Sequence, residues 1–240
     1  MPKKGELSPT HDAPPSPRPT SSRSEIEAFL ETANRLAAAD RASRGRLIFA
    51  LDATMSRQPT WDIACSLQAE MFDAAATVGD LSVQLVYFRG YRETRASRWV
   101  GDAKSLRDMM VKIDCRGGRT QIRKVLLHAI REAGKKPLAA LVYVGDAMEE
   151  NVDKLCDLAG QLGLHNVRAF MFHEGRDPVA ERAFREIARL TRGAYLPFDP
   201  SSAGELRSLL GAVATYAAGG LEALEASGSA PARRLLGDLR

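Results

Sequence analysis

"RLIFALDATMS", residues 46 to 56, runs from an apolar stretch into three oxygen-bearing side chains at alternate positions, Asp52, Thr54 and Ser56. "RLIFALD" reads as a buried strand. Side chains repeat with period two in an extended segment, so the three oxygens are expected to turn to one side. A reactive carboxylate, a phosphate cradle, a metal site and an ordinary turn all share this pattern.

Working outward, "LSVQLVYF", "LAALVYVGD", "VRAFMFH" and "AYLPF" read as further strands. They alternate with helical patterns in "WDIACSLQAEMFDAAATV", "DAKSLRDMMVKI", "TQIRKVLLHAIREAG", "NVDKLCDLAGQLG", "PVAERAFREIARLTRG" and "SAGELRSLLGAVATYA". Strands alternating with helices of this length indicate an α/β fold: a doubly wound, mostly parallel sheet with helices on both faces. "ASRWV" follows "LSVQLVYF" through the polar "RGYRETR" and reads as one antiparallel edge strand. Residues 1–23, rich in Pro and Ser, are expected to be a disordered tail. Ser24 and Glu27 form a capping box that opens an accessory helix over 24–44. The main domain is expected over 45–217, with a linker and C-terminal tail over 218–240.

Composition narrows the function classes. A net charge of +4, much of it in the terminal segments, falls short of a dedicated nucleic-acid binder's basic stripe, and aromatic residues at 6% leave little for base stacking. The three cysteines Cys65, Cys115 and Cys156 show no CxxC or Cys/His spacing, which excludes a zinc motif and favours a reducing compartment. No apolar run reaches the roughly 18 residues of a membrane span, and the N-terminus lacks a signal peptide's apolar stretch. A cytoplasmic protein is expected.

Ligands of open parallel sheets bind beyond the carboxyl ends of the strands. Two of the most apolar strands end there in aspartate, Asp52 and Asp146. An aspartyl phosphotransferase of the DxDx[TV] kind would need a second acid where Thr54 stands, and a hydroxyl cannot supply that proton. Neither GxxxxGK[ST] nor GxGxxG nor GxSxG is present, and His128, His165 and His173 have no nucleophile beside them in sequence. A divalent-metal site suits the oxygens better: Mg²⁺ takes hard oxygen ligands and keeps several waters. Thr120, after the glycine turn "CRGGR", is placed to add a third hydroxyl and Asp146 a second carboxylate.

These residues resemble the metal-ion-dependent adhesion site of von Willebrand factor A (VWA) domains. That family carries DxSxS after the first strand, a threonine after a glycine-containing loop, and an aspartate ending the fourth strand. The matching positions here are "DATMS" (Asp52, Thr54, Ser56), "GGRT" (Thr120) and "VYVGD" (Asp146). The sequence departs from the pattern in Thr54 for the commoner serine, in "GDA" for T-D-G, and in Arg57 and Arg119 beside the ligand positions. The resemblance implies a non-enzymatic module that holds Mg²⁺ or Mn²⁺ through those five residues and recognises an acidic residue of a partner protein. Arg57 and Arg119 would contact that partner at the rim. Intracellular members of the family often work beside AAA+ ATPases or chaperone-like complexes, which makes such a complex an expected partner. The alternatives are a metal-dependent phosphohydrolase built on the same acidic strand ends and, with less support, an RNA-binding module.

Overall fold

Each central strand sends its odd and even residues to opposite faces, and both faces are covered. Leu47, Phe49 and Leu51 enter one core cluster while Ile48 and Ala50 enter a second. In the same way Ala140, Val142 and Val144 face the first, and Leu141 and Tyr143 the second. This two-sided burial explains why these strands read as continuous apolar runs rather than alternating ones. Each fully buried Leu, Phe or Val contributes roughly 1.5–3 kcal/mol relative to exposure.

The computed structural model describes residues 45–55, 61–63, 68–199 and 203–239. Its six strands are β1 (Arg46–Asp52), β2 (Ser82–Arg89), β3 (Glu93–Val100), β4 (Ala140–Gly145), β5 (Arg168–Glu174) and β6 (Ala194–Phe198). They form one sheet in the order β3-β2-β1-β4-β5-β6. All pairings are parallel except β2 with β3, the antiparallel edge hairpin. The fold class expected from the alternating pattern is therefore the one observed.

The helices among these residues are α1 (Gln68–Ala76), α2 (Ala103–Met110), α3 (Ile122–Lys135), α4 (Val152–Leu164), α5 (Pro178–Leu190), α6 (Ala203–Ser227) and α7 (Ala230–Leu239). Core residues of α1, α2, α6 and α7 belong to the first cluster, and those of α3, α4 and α5 to the second. Three helix starts follow the local rule: Asp102, Asn151 and Asp177 accept backbone N–H bonds from the first turns of α2, α4 and α5. Pro178 stands in the first turn of α5, where a missing N–H costs nothing.

The expected tail over 1–23 and accessory helix over 24–44 lie outside the described residues, as do Ser56 and Arg57. The linker and tail expected over 218–240 is corrected. Helix α6 runs on to Ser227 through a break at Gly220 (φ 73°), and α7 follows it. Leu224, Ala232 and Leu235 are wholly buried in the first cluster. Arg234 pairs with Glu205 at 2.6 Å, and Arg168 donates to the Leu239 carbonyl at 3.4 Å. Neither segment has the length to be a stable helix alone, so its order comes from the packed leucines. None of the helices among the described residues is long and apolar enough to cross a membrane.

Candidate metal centre

The strand order reverses direction between β1 and β4, its two central strands. A crevice opens beyond the carboxyl ends at such a switch point, because the connections on either side leave in opposite directions. Asp52 ends β1 there, and Asp146 directly follows β4. Between them lies a cleft of about 210 Å³ lined by Asp52, Thr54, Gly118, Thr120, Asp146 and Glu149, among others. Four of the five residues singled out from sequence thus share one cleft. The fifth, Ser56, is outside the described residues.

The geometry around Asp52 differs from the expected alternation. The chain leaves the sheet at Ala53 and bends at Thr54. The Thr54 N–H donates to Asp52 Oδ1 at 2.8 Å, so a turn closed by the aspartate, not an extended strand, brings Thr54 to the cleft. Asp52 is 2% exposed and Thr54 9%, which leaves the pair facing the cleft rather than bulk water. Ala53 is tied to its neighbours on both sides: its N–H donates to the Phe88 carbonyl, and its carbonyl accepts from Arg116 N–H.

The Thr120 loop is held by contacts that the sequence does not announce. Gln121 is buried, and its amide donates to the carbonyls of Arg89, Gly90 and Glu93 in the β2–β3 turn. Its Oε1 accepts from Thr94 Oγ1 at 2.9 Å and from Lys124 Nζ at 2.7 Å. Arg119 N–H donates to the Gly90 carbonyl at 3.1 Å. A Cβ at Gly118 would stand 2.1 Å from that same carbonyl oxygen, so only glycine permits the two loops to approach this closely. Only the backbone of Arg119 is fixed in this way; its side chain is exposed.

Glu149 and Glu150, in the loop after Asp146, reach back to the start of α3. Glu149 Oε2 accepts from Thr120 N–H at 3.0 Å and from Thr120 Oγ1 at 3.2 Å. The Glu149 N–H in turn donates to Thr120 Oγ1 at 3.3 Å. Glu150 accepts from Ile122 N–H and, at 3.1 Å, from Arg123 N–H. Gln121, at the N-cap position of α3, makes no side-chain cap. Burial pushes the Glu150 carboxyl above the usual carboxylate range, against the opposing pull of the Arg123 and Ile122 N–H groups.

Among the described histidines, His128 and His173 serve the frame. His128 Nε2 lies 2.8 Å from Gln84 Oε1, His165 is exposed at the end of α4, and His173 is wholly buried with Nδ1 2.8 Å from Tyr195 Oη. Burial pushes both His128 and His173 below the usual imidazole range.

The polar side chains lining the cleft are all oxygen donors, the carboxylates of Asp52, Asp146 and Glu149 with the hydroxyls of Thr54 and Thr120, and such a set fits a hard divalent cation. Among the described residues no group of three or more His, Cys, Asp and Glu side chains gathers as a metal cage. Any cation held here would therefore depend on the threonine hydroxyls as well as the aspartates.

A six-stranded doubly wound α/β sheet with an antiparallel edge hairpin and a polar cleft at its switch point defines the class of domain. More particularly, the fold is that of VWA domains. A von Willebrand factor type A protein from Catenulispora acidiphila superposes with a TM-score of 0.55 at 19% identity, over 72% of this chain and 43% of that one. The SpRpn10 VWA domain gives 0.55 at 16% identity, over 73% and 98%. Proximal thread matrix protein 1 from the mussel byssus, solved with zinc in its MIDAS motif, gives 0.54 at 17% identity, over 81% and 52%. This chain thus spans less than half of the first protein's length and nearly all of the second's. No protein-family model and no curated protein matches the sequence.

Proposed function

We propose that this chain is a VWA-family binding module whose cleft holds Mg²⁺ or Mn²⁺ and recognises an acidic residue of a partner protein. The observation that carries the reading is the convergence of Asp52, Thr54, Thr120 and Asp146 on one cleft at the switch point. Asp52 and Asp146 would supply charge, and Thr54 and Thr120 neutral oxygens, with Ser56 as a fifth ligand. A bound cation would offer a Lewis-acidic position to a carboxylate from outside. Two carboxylates and neutral hydroxyls leave that position open to such a ligand. The zinc-bearing MIDAS motif of the mussel protein supports a divalent ion on this fold.

The module would bind rather than catalyse, in a cytoplasmic setting, beside a larger assembly of the AAA+ or chaperone-like kind. Arg119, exposed next to Thr120, would meet the acidic partner at the rim. The test is capture of a partner from the source cell's extract in Mg²⁺, in EDTA, and with Asp52→Ala. Retention by the unmodified chain in Mg²⁺ alone is expected. Equal retention in all three conditions would overturn metal-gated recognition.

A further inference from the structure

The start of a helix presents unsatisfied N–H groups and the positive end of its dipole. By itself it attracts anions and repels cations. Helix α3 starts at the wall of the cleft: Thr120 lines it, and Ile122 and Arg123 follow in the first turn. That wall therefore conflicts electrostatically with the cation that Asp52 and Asp146 would attract. The conflict is met by the pair of carboxylates from the β4–α4 loop. Glu149 holds the Thr120 N–H, and Glu150 holds those of Ile122 and Arg123.

The two glutamates differ in one respect. Glu150 bonds only backbone of the helix start, whereas Glu149 also lines the cleft and takes the Thr120 hydroxyl. A threonine hydroxyl has one proton and two lone pairs. Here the proton goes to Glu149 Oε2 and one lone pair accepts the Glu149 N–H, so a single lone pair is left for a further contact. A hydroxyl that gives its proton to a carboxylate is also more electron-rich on its oxygen. Outer carboxylates act on ligating groups in this way at metal sites.

We infer that Glu149 is a positioning residue of the cation site: it orients the Thr120 hydroxyl for a divalent ion and, together with Glu150, sets negative charge beside a helix start that would otherwise repel it. This rests on the proposal that the cleft holds a cation. Its consequence is a site carrying a third negative side chain that the five-residue pattern does not include.

The test uses the full chain and Mn²⁺ alone, with the free ion followed by electron paramagnetic resonance. The unmodified chain is expected to bind one Mn²⁺ saturably, and Asp52→Ala to abolish binding. Glu149→Gln keeps the shape and removes the charge, and should weaken Mn²⁺ binding by about 10- to 100-fold. Glu150→Gln alters the same helix start without touching Thr120, and should leave Mn²⁺ affinity within about threefold, since it lies outside the ligand's hydrogen-bond shell. Thermal unfolding of each variant without metal reads out the cap itself. Normal binding by Glu149→Gln, or equal losses in both glutamine variants, would overturn the role of Glu149 while leaving the site reading intact. Failure of the unmodified chain to bind Mn²⁺ would overturn the site reading and the inference with it.

Discussion

Helices α5 and α3 begin with the same requirement and meet it at different range. The first N–H groups of α5 are taken by Asp177, one residue before the helix, at 2.7 and 3.3 Å. Those of α3 are taken by Glu150, 27 and 28 residues further along the chain, while Glu149 takes the N–H of Thr120 just before the N-cap. A local cap fixes only its own helix. A cap from another loop fixes two loops against each other, and here both loops line the candidate metal cleft. The start of α3 is thereby tied to a loop that lines the cleft, whereas the cap of α5 is local to its own helix.

The C-terminal helix is the most severe test of contacts made at long range. If α7 is part of the core, Leu235→Ala removes a wholly buried side chain and should cost about 2–5 kcal/mol in chemical denaturation. A frayed tail would show almost no change, and that result would remove α7 from the cooperative unit.

Next in size is the direct contrast of the two helix starts. Glu150→Ala leaves two N–H donors, those of Ile122 and Arg123, without their acceptor and should cost about 1–3 kcal/mol. Asp177→Ala removes a local cap and should cost about 0.5–2 kcal/mol, the usual range for such a change. A further separation is expected in Mn²⁺ affinity. Gly118→Ala, which forces the Thr120 loop away from Gly90, should weaken binding, and Asp177→Ala should not. If Asp177→Ala weakened Mn²⁺ binding as much as Gly118→Ala, the claimed independence of α5 from the cleft would be lost.

These contrasts also explain which parts of the molecule are legible in the sequence. The strands buried on both faces, the helices between them and the edge hairpin all follow from neighbours within a few residues. Asp52, Thr54, Thr120 and Asp146 were reachable because each sits beside a recognisable strand end or glycine turn. Strand alternation predicts a common direction for Asp52, Thr54 and Ser56, yet Thr54 reaches the cleft through a turn that the Asp52 carboxylate itself closes. Gln121 and the reach of Glu149 to Thr120 were not legible, because each acts on groups more than 25 residues away. A buried glutamine can be read as a wedge between loops only when both loops are in view. Helix α7 was misread for a related reason. Leu235 and Leu239 have helical spacing, but the glycine and serine before them suggested a linker, and only the packed core supplies the stability that the short segment lacks.

The smallest effect expected is one of slope. Burial raises the Glu150 pKa above its ordinary value, so the folded chain holds that proton more tightly than the unfolded chain does. Between the unfolded value, near 4.5, and the higher folded one, the native state binds more protons. Stability contributed by this group is therefore fully present below the unfolded pKa and declines as pH rises through the folded one. Other carboxylates pull the other way: Arg116 beside Asp114, for instance, holds its carboxyl down at about 2. The whole-protein curve consequently hides the Glu150 contribution, and a difference measurement is needed. Unfolding free energies of the unmodified chain and of Glu150→Gln, compared over about pH 4 to 8, should show the advantage of the glutamate shrinking as pH rises. An advantage that grows with pH would mean that the N–H groups of α3 outweigh burial at Glu150. Its carboxylate would then be held as an ordinary cap is, and the distinction between the near and distant helix starts would reduce to one of sequence separation alone.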